Sequence, residues 1–510
     1  MPYFCAITRS VKRISAAERA KHCDAAGQDD DPAGPGVKFV LDCLSRNQIG
    51  DAELFRELFK DQYIYDFQAP GWFRFVGHYY ERDNIEMAFA DVQKVTAEYQ
   101  RVLDWVSAKA NAARARGEPD KSTEGLEGAL RKRVTALQSR ARVADVLTMA
   151  RPLSGMNVFG GWDAERLLLP CPNGVLKLET GVFRPGKPAD RALTHTKTEW
   201  AGETSPCPAF EQFMSEIMDG DSEKVSFLQR ALGYSISGLN IERFLLIFYG
   251  QNGQNGKGTL FETLFEVMGD FFAEIPAETL LQSGKEISGA TARPDIMLLR
   301  GKRLVWASET NKNRVIDGAM MKRLSGGDQV VGRPLYGQIV SFPQTAKLFL
   351  MTNAKPKVDG NDPAIWHRLL LIPFSLSFVE KPELPHERSR NKHLQQKLLK
   401  ESSGILAWLY RGFRDWQEQG INPPASVRAA TREYRSENSS IKEFISECCL
   451  VMPGVRIKPA DLYAGYDAFC RDSGCGQDNQ QLFFHEIQSQ FKKERTSTGR
   501  WYIGISLKAA

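Results

Sequence analysis

The feature that most constrains this 510-residue chain is an apolar run that ends in a glycine-rich loop and then opens a helix. Residues 243–249 read RFLLIFY, residues 250–259 read GQNGQNGKGT, and LFETLFEVM follows with helical periodicity. A short apolar run bounded by glycine predicts a buried strand. A strand, a loop and a helix N-terminus in that order build an anion site, because the loop's N–H groups and the helix's open N–H groups converge. A phosphate loop of the Walker A type requires this same context. Gly250, Gly253, Asn255, Gly256, Lys257, Gly258 and Thr259 are therefore the candidate phosphate cradle. Lys257 would reach the outer phosphates and Thr259 would serve the magnesium side. Two departures stand out: Gly250 is one residue too far from Gly256, with Gln251 in the expected place, and Gly258 pushes the hydroxyl one position late, to Thr259.

Three more apolar runs follow: RLVWASE at 303–309, KLFLMTN at 347–353 and RLLLIPF at 368–374. Helical patterns separate the first two and precede the third. Buried strands alternating with helices predict a mostly parallel sheet with helices on both faces, an α/β fold. Glu309 sits at the tip of its strand, where a phosphate-loop enzyme needs a carboxylate for magnesium and water. Ser308 precedes it, so one carboxylate must serve. Asn353 can hold an attacking water, or it can be turn chemistry beside NAKPK. Arg368 fits a surface ion pair or an arginine finger aimed at a neighbouring subunit, and the residues alone leave both open.

The rest of the chain is less specific. Residues 1–36, with AAGQDDDPAGPG, read as a flexible tail. GWFRFVGHYYERD at 71–83 reads as a hairpin, residues 85–149 as helical, and LLLPCPNGVLKLETGVF at 167–183 as hairpin chemistry. Residues 206–240 and about 379–435 read as helical, and residues 440–510 as helices followed by a strand pair around Trp501 and Tyr502. The net charge of +5 does not by itself argue for nucleic acid, so any such contact must come from local placement of Lys and Arg. Nine cysteines without a CxxC pair predict free thiols in a reducing cytoplasm. No stretch of about 18 apolar residues occurs, so a soluble cytoplasmic protein without a membrane partner is expected.

GQNGQNGKGT, LVWASET, KRLSGGDQVVGRPLY with LFLMTNAKP, and DPAIWHRLLLIPF occur in that order. The series resembles superfamily 3 helicases, most closely the helicase half of phage and plasmid primase–helicases and their poxvirus relatives. KRLSGGDQ, residues 322–329, looks like the motif that sets that superfamily apart. CPNGVLKLETGVFRPGKPAD and CPAFEQFMSEIMDGDSEKVSFLQRALGYSISG look like the region before the motor, so the resemblance covers roughly residues 60–380. It implies an AAA+-type P-loop ATPase core at 206–380 and a mainly helical N-terminal accessory region at 37–205. Beyond the resemblance, the charged helical pattern reads as a helical connector at 381–438, and helices followed by a strand pair suit a C-terminal winged-helix-like domain at 439–510.

The resemblance further implies ATP and Mg2+ as cofactors, a homo-hexamer, and translocation on single-stranded and forked DNA. The setting would be phage or mobile-element replication in the cytoplasm of a bacterial host. Carried over, Lys257 and Thr259 hold phosphates and metal, Glu309 holds magnesium and activates water, Asn353 senses the γ-phosphate, and Arg368 is the finger. Residues 332–342, GRPLYGQIVSF, fall where the family puts its DNA-gripping hairpin. Lys322, Arg323, Arg333 and Tyr336 make the candidate DNA-facing set, Tyr336 as a stacking face. Relatives often carry a primase–polymerase domain before the motor. No catalytic acidic cluster for one is visible here, so a separate primase or polymerase is expected. Two rivals are a P-loop small-molecule kinase, suggested by GKGT, and a non-catalytic DNA-binding or regulatory ATPase.

Overall fold

The centre of the fold is a five-stranded sheet whose strands are all parallel. The computed structural model describes residues 34–117, 120–282, 292–309, 314–335, 339–358, 362–473, 480–497 and 499–508. Tyr336, most of the expected tail and the side chain of Glu309 lie outside the described residues. The described residues divide into two compact units, Met1–Trp162 with Lys187–Leu193, and Asp163–Gly186 with Thr194–Ala510.

The first unit sets helices against a small sheet. Its strands Tyr80–Arg82, Gly71–Phe75, Tyr63–Asp66 and Asn157–Val158 lie side by side in that order, so the expected hairpin extends by two strands. The long helix Met87–Ala115 buries Val92, Val95, Tyr99, Val102, Val106 and Ala110, a three-and-four spacing that turns one face inward. Asp51 and Asp66 are fully buried in this unit. Asp51 accepts from the Tyr99 hydroxyl at 2.8 Å and pairs with Arg133 and with Arg142, the latter at 2.6 Å. A buried charge is tolerated when paired and hydrogen-bonded in this way.

The second unit holds the five-stranded sheet: β1 (Leu245–Tyr249), β2 (Phe272–Glu274), β3 (Leu304–Glu309), β4 (Lys347–Thr352) and β5 (Leu369–Pro373), in spatial order 5-1-4-3-2. Four of these strands are the four apolar runs. The fifth, β2, is a three-residue edge strand that no sequence pattern announced. Alternate residues of each strand enter different clusters. Leu246, Phe248, Phe349 and Ile372 pack with the helices Pro208–Ile217, Ser222–Tyr234 and Ser402–Gln419, and with α1 (Lys257–Met268). Leu245, Ile247, Leu348 and Leu371 pack with Ile296, Met321, Leu324 and Tyr434. A sheet covered on both faces explains why the strands read as continuous apolar runs.

Smaller pieces decorate this core. Leu168–Cys171, Gly174–Lys177 and Val182–Arg184 form an antiparallel three-stranded sheet where hairpin chemistry was expected. Gln329–Gly332 pairs antiparallel with Val340–Pro343. Ser377–Val379 pairs parallel with Glu387–Ser389, inside a stretch that reads as helical in sequence.

At the C-terminal end the order is helix Ser440–Cys448, strand Cys449–Ile457, helices Pro459–Ser473 and Gln480–Gln490, then strands Lys493–Thr496 and Gly499–Leu507. The expected strand pair is therefore three strands, with Gly499–Leu507 in the middle. Phe444, Tyr466, Phe483, Tyr502 and Ile505 form its core. No helix among the described residues is long and apolar enough to cross a membrane.

Candidate functional site

The parallel sheet decides where a site can form. Tyr249 on β1 lies level with Thr352 on β4, and Thr352 lies level with Glu309 on β3. Three strands thus end together, at the edge where open α/β sheets bind ligands. The loop 250–256 leaves β1 at this edge and returns into α1. Helices Ser222–Tyr234 and Gly318–Ser325 are capped by Asp221 and Asp317, whose side chains accept backbone N–H groups. The N-cap of α1 is Gly256, which has no side chain to offer. The open N–H groups at the start of α1 are left for a ligand.

Two glycines of the loop are required by geometry. A Cβ on Gly250 would stand 2.5 Å from Asn255 Oδ1 and 2.8 Å from the Lys257 ammonium. Gly250 therefore makes room for the lysine even though it sits one residue outside the usual spacing. Gly256 has φ +83°, and a Cβ there would meet Ile217 Cγ2 at 2.6 Å. Both the left-handed conformation and the close approach exclude larger residues.

Lys257 is the centre of the cluster. Its ammonium donates to Asn255 Oδ1 at 2.9 Å, Asn353 Oδ1 at 3.1 Å and the Gly250 carbonyl at 3.5 Å. Asn255 is held by donating to the Leu376 carbonyl at 2.7 Å. All of these partners are neutral. Burial therefore lowers the lysine pKa from its ordinary 10.5 to about 8. Asn353, just past the tip of β4, is brought 96 residues across the sequence to touch Lys257.

A cavity of about 670 Å³ opens over the loop. Gly253, Asn255, Gly256, Lys257, Gly258 and Thr259 line it, with Ser308, Thr352 and Asn353 from the strand ends. At Gly258, where the usual hydroxyl is missing, a side chain would have room: a Cβ there would stand 4.0 Å from its nearest neighbour, a Glu262 carboxylate oxygen. Glu309 ends β3 at the level of Thr352. Oxygen donors of this kind suit a hard divalent cation. Sequence reasoning missed the far wall, which includes Phe378, Arg390, Lys392 and Lys397. Its one signal was the density of Lys and Arg between 381 and 400.

Arg368 stands at the other edge of the sheet. It immediately precedes β5, whose first residue Leu369 pairs with Leu245, the first residue of β1. Its carbonyl accepts from Leu245 N at 2.8 Å. The length of β1, about 15 Å at ~3.3 Å per residue, separates it from the loop. Its Nη1 is buried without a hydrogen-bond partner.

The other candidate residues gather around the Gln329–Pro343 hairpin. Lys322 is ion-paired with Asp362 at 2.6 Å, and Arg323 donates to the Val331 carbonyl at 2.8 Å. Both cations are thus engaged within the fold. Arg333 lies past the first hairpin strand, and its carbonyl accepts from Arg293 N at 3.0 Å. Leu335 and Ile339, either side of the hairpin tip, are 65% and 69% exposed.

Residues 52–219 match the D5 N terminal like family. That match spans about a third of the chain. Residues 248–368, from β1 to Arg368, match a family of unknown function, DUF5906. A protein of Acanthamoeba polyphaga mimivirus, "Putative helicase L207/L206", is 27% identical over 322 residues, which is 60% of this chain and 33% of that protein. "Putative primase C962R" of African swine fever virus is 24% identical over 223 residues, 42% of this chain and 23% of that protein. The chain thus spans a third or less of the length of these curated relatives. Both relatives are viral, and neither source is a bacterial phage. The C terminal region of NrS-1, in apo form, overlays at 10% identity with a TM-score of 0.41, covering 89% of this chain and 99% of that one. At that score the likeness is loose, and the fold rests on the strand order and register above.

Proposed function

We propose that this chain is the motor of a ring-forming, ATP-driven DNA helicase of superfamily 3, acting in viral or mobile-element replication. The observation that carries the reading is the meeting of Lys257, from the loop, with Asn353, from the end of β4, across 96 residues. A loop lysine beside a strand-end amide suits nucleoside triphosphate hydrolysis, which needs a cation on the phosphates and a group that positions the attacking water. Strand order 5-1-4-3-2 with the loop after β1 suits an AAA+-type core, spanning residues 206–380.

In this mechanism Lys257 offsets charge on the outer phosphates and Asn353 orients the attacking water. Glu309 takes the proton from that water. Mg2+, held by Thr259 and Glu309, would neutralise phosphate charge when bound. Arg368 stabilises the transition state in the neighbouring subunit, because its place on the far edge keeps it from its own loop. A site shared head to tail closes into a ring when the rotation fits, and the family suggests six subunits. The Gln329–Pro343 hairpin, with Arg333 and Tyr336, would grip single-stranded DNA at a fork. The C-terminal order of helix, strand, two helices and two strands suits a winged helix. Lys493, Arg495 and Arg500 lie on its paired strands and would meet duplex phosphates. A primase or polymerase would act from a separate chain or segment.

One observation favours a second reading, a nucleotide-responsive DNA-binding protein that does not turn over. Gly258 replaces the usual metal-binding hydroxyl, and Ser308 the first of two usual acids. Measuring ATP hydrolysis with and without single-stranded DNA separates the two. DNA-stimulated turnover is expected; nucleotide binding with no turnover would establish the second reading instead.

A further inference from the structure

The far wall of the cavity is physically tied to the phosphate loop. Phe378 N donates to the Gln254 carbonyl at 2.9 Å, and Ser377 Oγ donates to the Gly253 carbonyl at 3.2 Å. Asn255 donates back to Leu376 O at 2.7 Å. One residue beyond Phe378, Val379 O accepts from Arg390 N at 2.9 Å. The backbone of Arg390 is therefore fixed relative to the loop by a continuous run of hydrogen bonds.

The charges in this wall are unequally used. Arg388 faces Asp219 at 3.6 Å, and Lys392 is paired with Glu380 at 2.6 Å. Arg390 and Lys397 line the cavity, and among the described residues neither has an acidic partner within ion-pair distance. Four cations, Lys257, Arg390, Lys392 and Lys397, line the cavity against two carboxylates, Glu216 and Glu262. A triphosphate carries more negative charge than the one loop ammonium offsets. An exposed guanidinium on a fixed backbone suits a phosphate, because its planar fork presents parallel donors.

We propose that Arg390, assisted by Lys397, is a phosphate ligand supplied by the same subunit, so that the triphosphate is held between the loop and residues 376–397. The idea rests on the nucleotide reading of the cavity. It adds that affinity is graded by phosphate number through a wall outside the loop motif. It also gives the Ser377–Val379 and Glu387–Ser389 pair a purpose, since that pair places Arg390 and braces the loop together.

The test compares dissociation constants of ATP, ADP and AMP, by calorimetry on the full chain, for the wild type, Arg390→Ala, Arg390→Lys and Lys397→Ala. Arg390→Ala should weaken ATP by about tenfold, the worth of one charge-assisted hydrogen bond. ADP should weaken less and AMP hardly at all, Arg390→Lys should recover part of the loss, and Lys397→Ala should show the same grading more weakly. Equal weakening of all three nucleotides would mean that Arg390 only braces the fold, and unchanged ATP affinity would mean that it touches nothing; either overturns the proposal. A wild type that binds none of the three, or whose Lys257→Ala variant binds ATP equally well, would overturn the nucleotide reading itself.

Discussion

The two units bury charge in opposite ways. In the first, Asp51 is enclosed and answered by Arg133, Arg142 and the Tyr99 hydroxyl. In the second, Lys257 is answered only by neutral oxygens of Asn255, Asn353 and Gly250, and a cavity opens beside it. The first arrangement is complete and holds a fold together. The second gives the charge no acidic side chain, and burial lowers the lysine pKa. Burial without an acid is not sufficient by itself. Lys347 is also buried, bonded to the carbonyls of Ser237 and Thr345, yet it does not line the cavity over the loop. Access is what separates a structural cation from a binding one.

The largest expected effect comes from removing the open charge. Lys257→Ala should reduce ATP hydrolysis by at least about a thousandfold, because no other group at the loop offsets the outer phosphates. A steady-state assay giving near-normal turnover would break the comparison at its functional end. Glu309→Gln should follow at about a hundredfold or more, with ATP still bound, since an amide cannot accept the water's proton.

At the structural end, Asp51→Ala should lower unfolding free energy by about 3–5 kcal/mol, because two largely buried arginines lose their carboxylate and keep only neutral oxygens of Leu44 and Asn47. Lys257→Met should act in the opposite sense on the unliganded protein. The folded lysine pKa, about 8, lies below its ordinary 10.5, so folding penalises the charged form. That penalty is full below pH 8 and disappears as pH rises from 8 to 10.5, so at pH 7 the variant should gain ~1–3 kcal/mol. Denaturant melts of both variants read this directly. Asp51→Ala as stable as the wild type would mean that the two clusters do not differ in kind.

A smaller effect sharpens the same point. An anion in the cavity should raise the lysine pKa, so binding takes up a proton where the free lysine is neutral. ATP affinity should therefore be level below pH 8 and fall by up to about tenfold per pH unit above it. Titrations between pH 7 and 9 that show no fall would mean that Lys257 does not meet the phosphates.

The parts legible in sequence are those whose signal is local and strong. β1, β3, β4 and β5 are buried on both faces, so each reads as an unbroken apolar run. β2 is three residues long and takes its place only by pairing with β3. Asn157–Val158 pairs in parallel with a strand some ninety residues earlier, which no local pattern announces. Cys449–Ile457 hides behind Pro453 and Gly454, which read as a break. The structure places a register shift between Val451 and Arg456 there, with Gly454 at φ +89°. The loop and Asn353 were visible because motif and strand end coincide. Arg390 was not, because its place depends on its own N–H donating to the Val379 carbonyl and on Phe378 N donating to the Gln254 carbonyl.

The central claim is that the catalytic edge of one subunit is completed by Arg368 from the next. Arg368→Ala alone should bind ATP but hydrolyse it about a thousandfold more slowly. The direct test mixes Lys257→Ala subunits with Arg368→Ala subunits, each inactive alone. Some interfaces in the mixture join an intact Lys257 to an intact Arg368 of the neighbour. Recovery of ATP hydrolysis in mixtures shown to co-assemble is the expected result, and no recovery in those mixtures would contradict the account.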